Sequence, residues 1–115
     1  MHIKLLSLSK NQDFKSLLAG KKVSNKYLTI FFKNLSNKSN NYLNIGFVTQ
    51  KKLGNAVKRN KIKRKLKSIV LKLLKINSAI NSNYTYIIFG KSKVYEEQSK
   101  ELFKKMKNSF KIIRA

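Results

Sequence analysis

The apolar positions of the chain change period several times, and each change marks an element. Phe14, Leu17 and Leu18 recur at helical spacing behind Asn11 and Asp13, either of which can cap, and Gly20 can end the turn. A short helix over residues 12–19 is predicted. Residues 27–32 and 43–48 alternate instead, which predicts two strands. Between them lies a polar run rich in turn formers, Asn34 to Asn41, so a hairpin with a long loop is the expected connection. Residues 84–89, Tyr-Thr-Tyr-Ile-Ile-Phe, predict another strand.

Two longer segments have a helical period. Ile62, Leu66, Ile69, Val70, Leu73 and Leu74 form one apolar stripe in a helix predicted over 55–75. Arg59 falls on the apolar side of that wheel but one turn before the stripe, so it should overhang the end of the core. Leu102, Phe103, Met106, Phe110 and Ile113 form the stripe of a last helix, predicted over 95–113. The three Glu residues at 96, 97 and 101 fall in its opening turns, where negative charge meets the positive end of the helix dipole. The order of elements predicts an α/β sandwich, one small mixed sheet with helices packed on it, in a single domain spanning 1–115.

Alternation divides the strands into two faces. Leu28, Ile30, Phe32, Leu43, Ile45, Phe47, Ile87 and Phe89 form an apolar set expected to pack on the long helix. Tyr27, Thr29, Phe31, Asn44, Gly46, Val48, Tyr84, Tyr86 and Ile88 form a mixed set of polar, small and aromatic groups. A half-open face of that composition suits unpaired nucleotides, because bases stack on aromatic planes. The plainer reading has Phe31 and Tyr86 packed under the first helix through Phe14. The two readings can coexist, as a cleft between helix and sheet.

Charge then narrows the function. The 115 residues carry 27 Lys and Arg against 4 Asp and Glu, a net charge of +23. Such self-repulsion destabilises a compact state unless counterions or a partner neutralise it, and nucleic acid, ahead of an anionic membrane surface, is the expected partner. With 42% hydrophobic residues the chain is too apolar for a disordered polycation. No Cys is present, so disulfides and thiolate metal sites are excluded, and a reducing cytoplasm fits. No apolar run approaches the roughly 20 residues that span a bilayer. No carboxylate occurs between Phe14 and Tyr95, and the only His is His2. Metal-assisted phosphodiester cleavage needs clustered carboxylates, and metal-free cleavage needs placed acids and bases. Protein-borne catalysis is therefore hard to assemble here, and no catalytic or metal-ligating residue is assigned.

The cations concentrate. Residues 51–67 contain nine Lys or Arg and no acid, threaded onto the apolar stripe of the long helix. A solvated helix face usually balances Lys with Glu; this one does not. The turn at Gly54 and Asn55 opens the helix, where free N–H groups favour phosphate.

The run Lys51-Lys52-Leu53-Gly54-Asn55-Ala56-Val57-Lys58-Arg59-Asn60-Lys61-Ile62-Lys63-Arg64 resembles the signature of the bacterial ribonuclease P protein component. Asp13-Phe14, Gly20, Gly46-Phe47 and Ile87-Ile88-Phe89-Gly90-Lys91 match that family in order, so the likeness spans roughly residues 10–112. Departures are Lys61, Asn44 and the stretch from Thr85 to Lys91, where the family usually carries Arg, Arg and an Asp-to-Arg pattern. Lys61 keeps the charge but loses the bidentate fork.

The resemblance implies a four-stranded mixed sheet with a left-handed crossover into the long helix. It implies a subunit of a ribonucleoprotein endonuclease that removes the 5′ leader of precursor tRNA. The RNA subunit would supply the active site and hold Mg²⁺; the protein would bind no cofactor and be inactive alone. Its partners would be ribonuclease P RNA, with one protein per RNA, and precursor tRNA, not DNA or a membrane. By motif position, Lys51, Lys52, Asn55, Arg59, Asn60, Lys61, Lys63, Arg64 and Lys67 would face the catalytic RNA. Phe14, Leu18, Thr29, Phe31 and Val48 would line the leader cleft, with Tyr86 added by alternation. A structural rRNA-binding ribosomal protein is the alternative that explains the charge alone.

Overall fold

In a computed structural model, the described residues are 4–7, 17–33, 42–76, 80 and 84–114; for 4–7, 42–44 and 114 only the backbone is described. The strands are β1 (Lys4–Ser7), β2 (Lys21–Ser24), β3 (Leu28–Lys33), β4 (Tyr42–Val48) and β5 (Thr85–Gly90). The long helix α1 covers Ala56–Leu74, and the last helix α2 covers Ser99–Arg114. Short 3₁₀ turns at Lys51–Leu53 and Ser92–Val94 precede the two helices. Leu17 and Leu18 lie in a helical turn that agrees with the end of the predicted first helix.

The sheet runs β1-β4-β5-β3-β2. β4 pairs parallel with both β1 and β5, whereas β3 pairs antiparallel with β5 and β2. The α/β reading holds, with β1 as a fifth strand added at the edge. Its four residues are too few to show a period in the sequence.

The expected hairpin between residues 27–32 and 43–48 is not formed. β5 lies between β3 and β4, and β3 takes β2 as its hairpin partner instead. The reason is burial: from Thr85 to Ile88 every β5 side chain is buried, so this strand needs a neighbour on each edge and cover on both faces. Asn25 shapes the real hairpin turn. Its Oδ1 accepts from the backbone N–H of Tyr27 at 2.8 Å and of Leu28 at 3.0 Å, and its Nδ2 donates to Ser109 of α2 at 3.1 Å.

Both helices cover one face of the sheet. Ile62, Leu66, Ile69, Val70 and Leu73 from α1 and Leu102, Met106, Phe110 and Ile113 from α2 join Leu28, Ile30, Ile45, Tyr86 and Ile88 in one buried cluster. These are the helix stripes read from the sequence. Gly90 permits the closest approach. A Cβ there would stand 2.6 Å from Ile62 Cγ2 and 2.9 Å from Leu66 Cδ1.

The face assignment of β5 is corrected. Cross-strand neighbours share a face, and Ile30 pairs with Ile88 while Phe32 pairs with Tyr86. Tyr86 and Ile88 therefore point to the helices; Ile87 and Phe89 point the other way. Tyr86 is fully buried, its ring edge-on to Phe110 at 5.2 Å. Tyr27, expected on the open face, is likewise buried in the main cluster. α2 also starts later than predicted, so only Glu101 lies in its first turn, with Glu96 and Glu97 before it.

Candidate nucleic-acid interface

The basic motif is built as a turn followed by a capped helix. Gly54 adopts φ +140°, a conformation that side chains rarely tolerate, and a Cβ there would meet Lys58 Cδ at 2.9 Å. Asn55 is the N-cap, its Oδ1 accepting from the Lys58 N–H at 3.0 Å. The first turn of α1 has no acidic residue, so its N–H groups and dipole face solvent uncompensated.

Of the motif residues, Lys51, Lys52, Asn55, Asn60, Lys61, Lys63, Arg64 and Lys67 are exposed. Arg59 is half-buried, as its place one turn before the stripe requires, and its Nε is buried without a partner among the described residues.

The contacts of three lysines in the basic run, Lys58, Lys61 and Lys65, were missed by sequence reasoning. Lys65 turns inward and donates from Nζ to the carbonyls of Val94, Tyr95 and Glu97 at 3.0, 2.9 and 2.8 Å. Desolvation, then repulsion from Lys61, pulls its ammonium below the ordinary lysine range, while Glu97 opposes the shift. Lys58 and Lys61 stand over the Tyr95 ring at 5.2 and 4.7 Å, and Lys58 also donates to Ser92 Oγ at 3.2 Å. The signal was the spacing of Lys58, Lys61 and Lys65, which aligns them along one flank of the helix.

On the far side of the sheet lies a cleft of about 410 Å³, lined by Lys22, Thr29, Phe31, Gln50, Lys52, Leu53, Phe89, Gly90 and Lys91. Phe31 and Phe89 meet edge-to-face at 5.4 Å across β3 and β5, and Lys22 Nζ stands 5.8 Å from the Phe31 ring centre. Lys91 is anchored at the rim, donating to Ser24 Oγ at 3.1 Å and to the Asn25 carbonyl at 2.6 Å.

Thr29 and Phe31 thus line the cleft as expected. Val48 shares their face through its pairing with Phe89, opposite Thr29, but does not line the cavity. Leu18 is exposed on the helical turn. Phe14 lies outside the described residues. Tyr86 is on the wrong face, and Phe89 holds the aromatic position assigned to it. Lys52, assigned to the motif surface, opens into the cleft, so the two predicted surfaces meet at this residue.

A rigid cationic helix joined at Lys52 to an aromatic cleft with a basic rim defines an RNA-binding α/β protein. Comparison with known proteins narrows the class. The family model described as Ribonuclease P matches residues 4–114. The ribonuclease P protein component of Fusobacterium nucleatum is 38% identical over 113 residues, covering 90% of this chain and 96% of that one. That of Clostridioides difficile is 32% identical over 105 residues, covering 90% and 88%. The RNase P protein of Staphylococcus aureus superposes with a TM-score of 0.76 at 27% identity over 93% of this chain and 94% of that one. The Thermotoga maritima RNase P protein, at 22% identity, shares the fold with a TM-score of 0.75 over 92% and 96%. The chain belongs to the ribonuclease P protein family.

Proposed function

We propose that this subunit of ribonuclease P docks on the ribonuclease P RNA through the outer face of α1 and the turn before it, and holds the unpaired 5′ leader of precursor tRNA in the cleft. The observation that carries this reading is the junction at Lys52. A phosphate chain passing from the motif into the cleft meets cations at Lys52, Lys22 and Lys91 and aromatic faces at Phe31 and Phe89. Stacking on such faces tolerates any base, which suits leaders of varied sequence.

The division of labour follows from the donor set. No carboxylate lines the cleft, and the chain's four carboxylates, Asp13, Glu96, Glu97 and Glu101, leave the motif without any. These residues do not fit a catalytic metal site, so Mg²⁺ is assigned to the RNA subunit. The protein screens phosphate repulsion and retains the substrate. One protein per RNA and a cytoplasmic site of action complete the reading; no helix among the described residues is long and apolar enough to cross a membrane.

Reconstitution with the cognate RNA tests this. Precursor processing should need less Mg²⁺ with the protein than with RNA alone, and the gain should shrink when the leader is shortened to a single nucleotide. A Mg²⁺ requirement unchanged by protein would refute the proposal.

A further inference from the structure

α2 carries a second cationic row, outside the motif. Lys100, Lys104, Lys107 and Lys111 are all exposed. Their spacing keeps them within an arc of about 60° on a helix of 3.6 residues per turn, along roughly 16 Å of axis. The row lies across the helix from Leu102, Met106, Phe110 and Ile113, all buried. Glu101, the only carboxylate of α2, falls outside the arc. Among the described residues, none of the four lysines has a hydrogen-bond or ion-pair partner. Like charges at i, i+3 and i, i+4 repel along the row, and a bound polyanion relieves that repulsion more fully than mobile salt ions do.

The row also lies on a helix of the same layer as the motif helix. α1 and α2 pack on the same sheet face and share one core, so their outer faces form a single layer. On α1 that layer extends past the motif as a depression of about 370 Å³ lined by Arg64, Lys67, Ser68, Leu71, Lys72 and Lys75.

We infer that α2 is a second RNA-docking face, its lysine row taking the sugar–phosphate backbone of the same folded RNA that α1 engages. The inference rests on the family reading for the identity of that RNA. Precursor tRNA offers the same phosphate chemistry, and the experiment separates the two sources.

The combined variant Lys100→Gln, Lys104→Gln, Lys107→Gln, Lys111→Gln is compared with the unaltered protein in two titrations across salt concentration. One follows binding to ribonuclease P RNA alone; the other follows precursor tRNA binding to the assembled holoenzyme. The log–log salt slope of the first should fall by roughly 3, at about 0.7–0.9 per phosphate contact, and that of the second should not change. Arginine at all four positions should restore the slope. Because the chain has no Cys, Asn108→Cys gives one attachment point on α2's exposed side for a chelated iron, independent of whether the fourfold variant folds. Tethered iron should cut ribonuclease P RNA at a discrete site. An unchanged slope in the first titration, a loss confined to the second, or absence of discrete cutting overturns the proposal. Failure of the unaltered protein to bind ribonuclease P RNA would instead sink the family-based reading beneath it.

Discussion

The Lys61 ammonium lies 4.7 Å from the centre of the Tyr95 ring. A motif cation is thereby braced by the connection between β5 and α2, far along the chain. Lys58 shares the same ring at 5.2 Å. Tyr95 thus braces two cations of the motif helix. Tyr95→Leu should weaken ribonuclease P RNA binding two- to fivefold, the equivalent of about 0.5–1 kcal/mol of cation–π interaction. The salt slope should stay constant because no charge is lost, and Tyr95→Phe should behave as the unaltered protein. A slope reduced by Tyr95→Leu would show that the ring does more than brace.

Neighbouring motif residues should give opposite readouts. Lys65 is spent on three backbone carbonyls, so Lys65→Met should cost roughly 1–3 kcal/mol in urea unfolding and leave the salt slope of RNA binding unchanged. Arg64 is exposed, so Arg64→Ala should leave stability nearly unchanged and reduce the slope by roughly 0.7–0.9. Arg59→Ala should lower the slope by the same amount. Unfolding curves and salt titrations on the same preparations check each pair.

The cleft makes a separable prediction. Phe31→Ala should cost roughly 1–3 kcal/mol of holoenzyme affinity for leader-bearing substrate if one base stacks there, with no loss on mature tRNA. Equal losses on both would assign Phe31 to packing. Phe89→Ala should follow the same pattern, since the two rings touch at 5.4 Å. Tyr86→Ala should behave differently, with a stability loss of about 3–5 kcal/mol as for other large aromatic truncations in a core, because its ring is fully buried beside Phe110.

That contrast shows what the sequence could carry. Helix stripes were legible because α1 and α2 are each buried on one side only: Ile62, Leu66, Ile69, Val70 and Leu73 lie where a 3.6-residue period puts them. Thr29 and Phe31 were legible because β3 alternates between buried and half-open positions. β5 was not. It is buried on both faces from Thr85 to Ile88, so Tyr86 and Phe89 look alike in the sequence and a shift of one residue exchanges them. The same double burial hid the strand order, since nothing local tells β3 that its neighbour will come from the far side of α1. The spacing of Lys58, Lys61 and Lys65 marks one flank of α1, but Tyr95, the distant residue that this flank meets, leaves no periodic trace. The motif was legible as a basic run at a helix start, but not the inward turn of Lys65 or the half-burial of Lys58.

Gly90 offers a test of the packing between helix and sheet. A Cβ there would press on Ile62 and Leu66 at 2.6 and 2.9 Å, so Gly90→Ala should destabilise by about 1–3 kcal/mol through overpacking. The loss should appear in thermal unfolding. Ile62→Ala, which removes the Cγ2 methyl at 2.6 Å, should cost less stability in the Gly90→Ala background than in the unaltered protein.

The account turns on the separation of scaffold from chemistry: cations and an aromatic cleft on the polypeptide, bond cleavage elsewhere. Its most direct test is precursor tRNA incubated with Mg²⁺ and nuclease-treated protein verified to carry no RNA, beside the same protein supplied with its cognate RNA. The account predicts no 5′ cleavage in the first reaction and efficient leader removal in the second. Efficient 5′ cleavage by the RNA-free protein would contradict it.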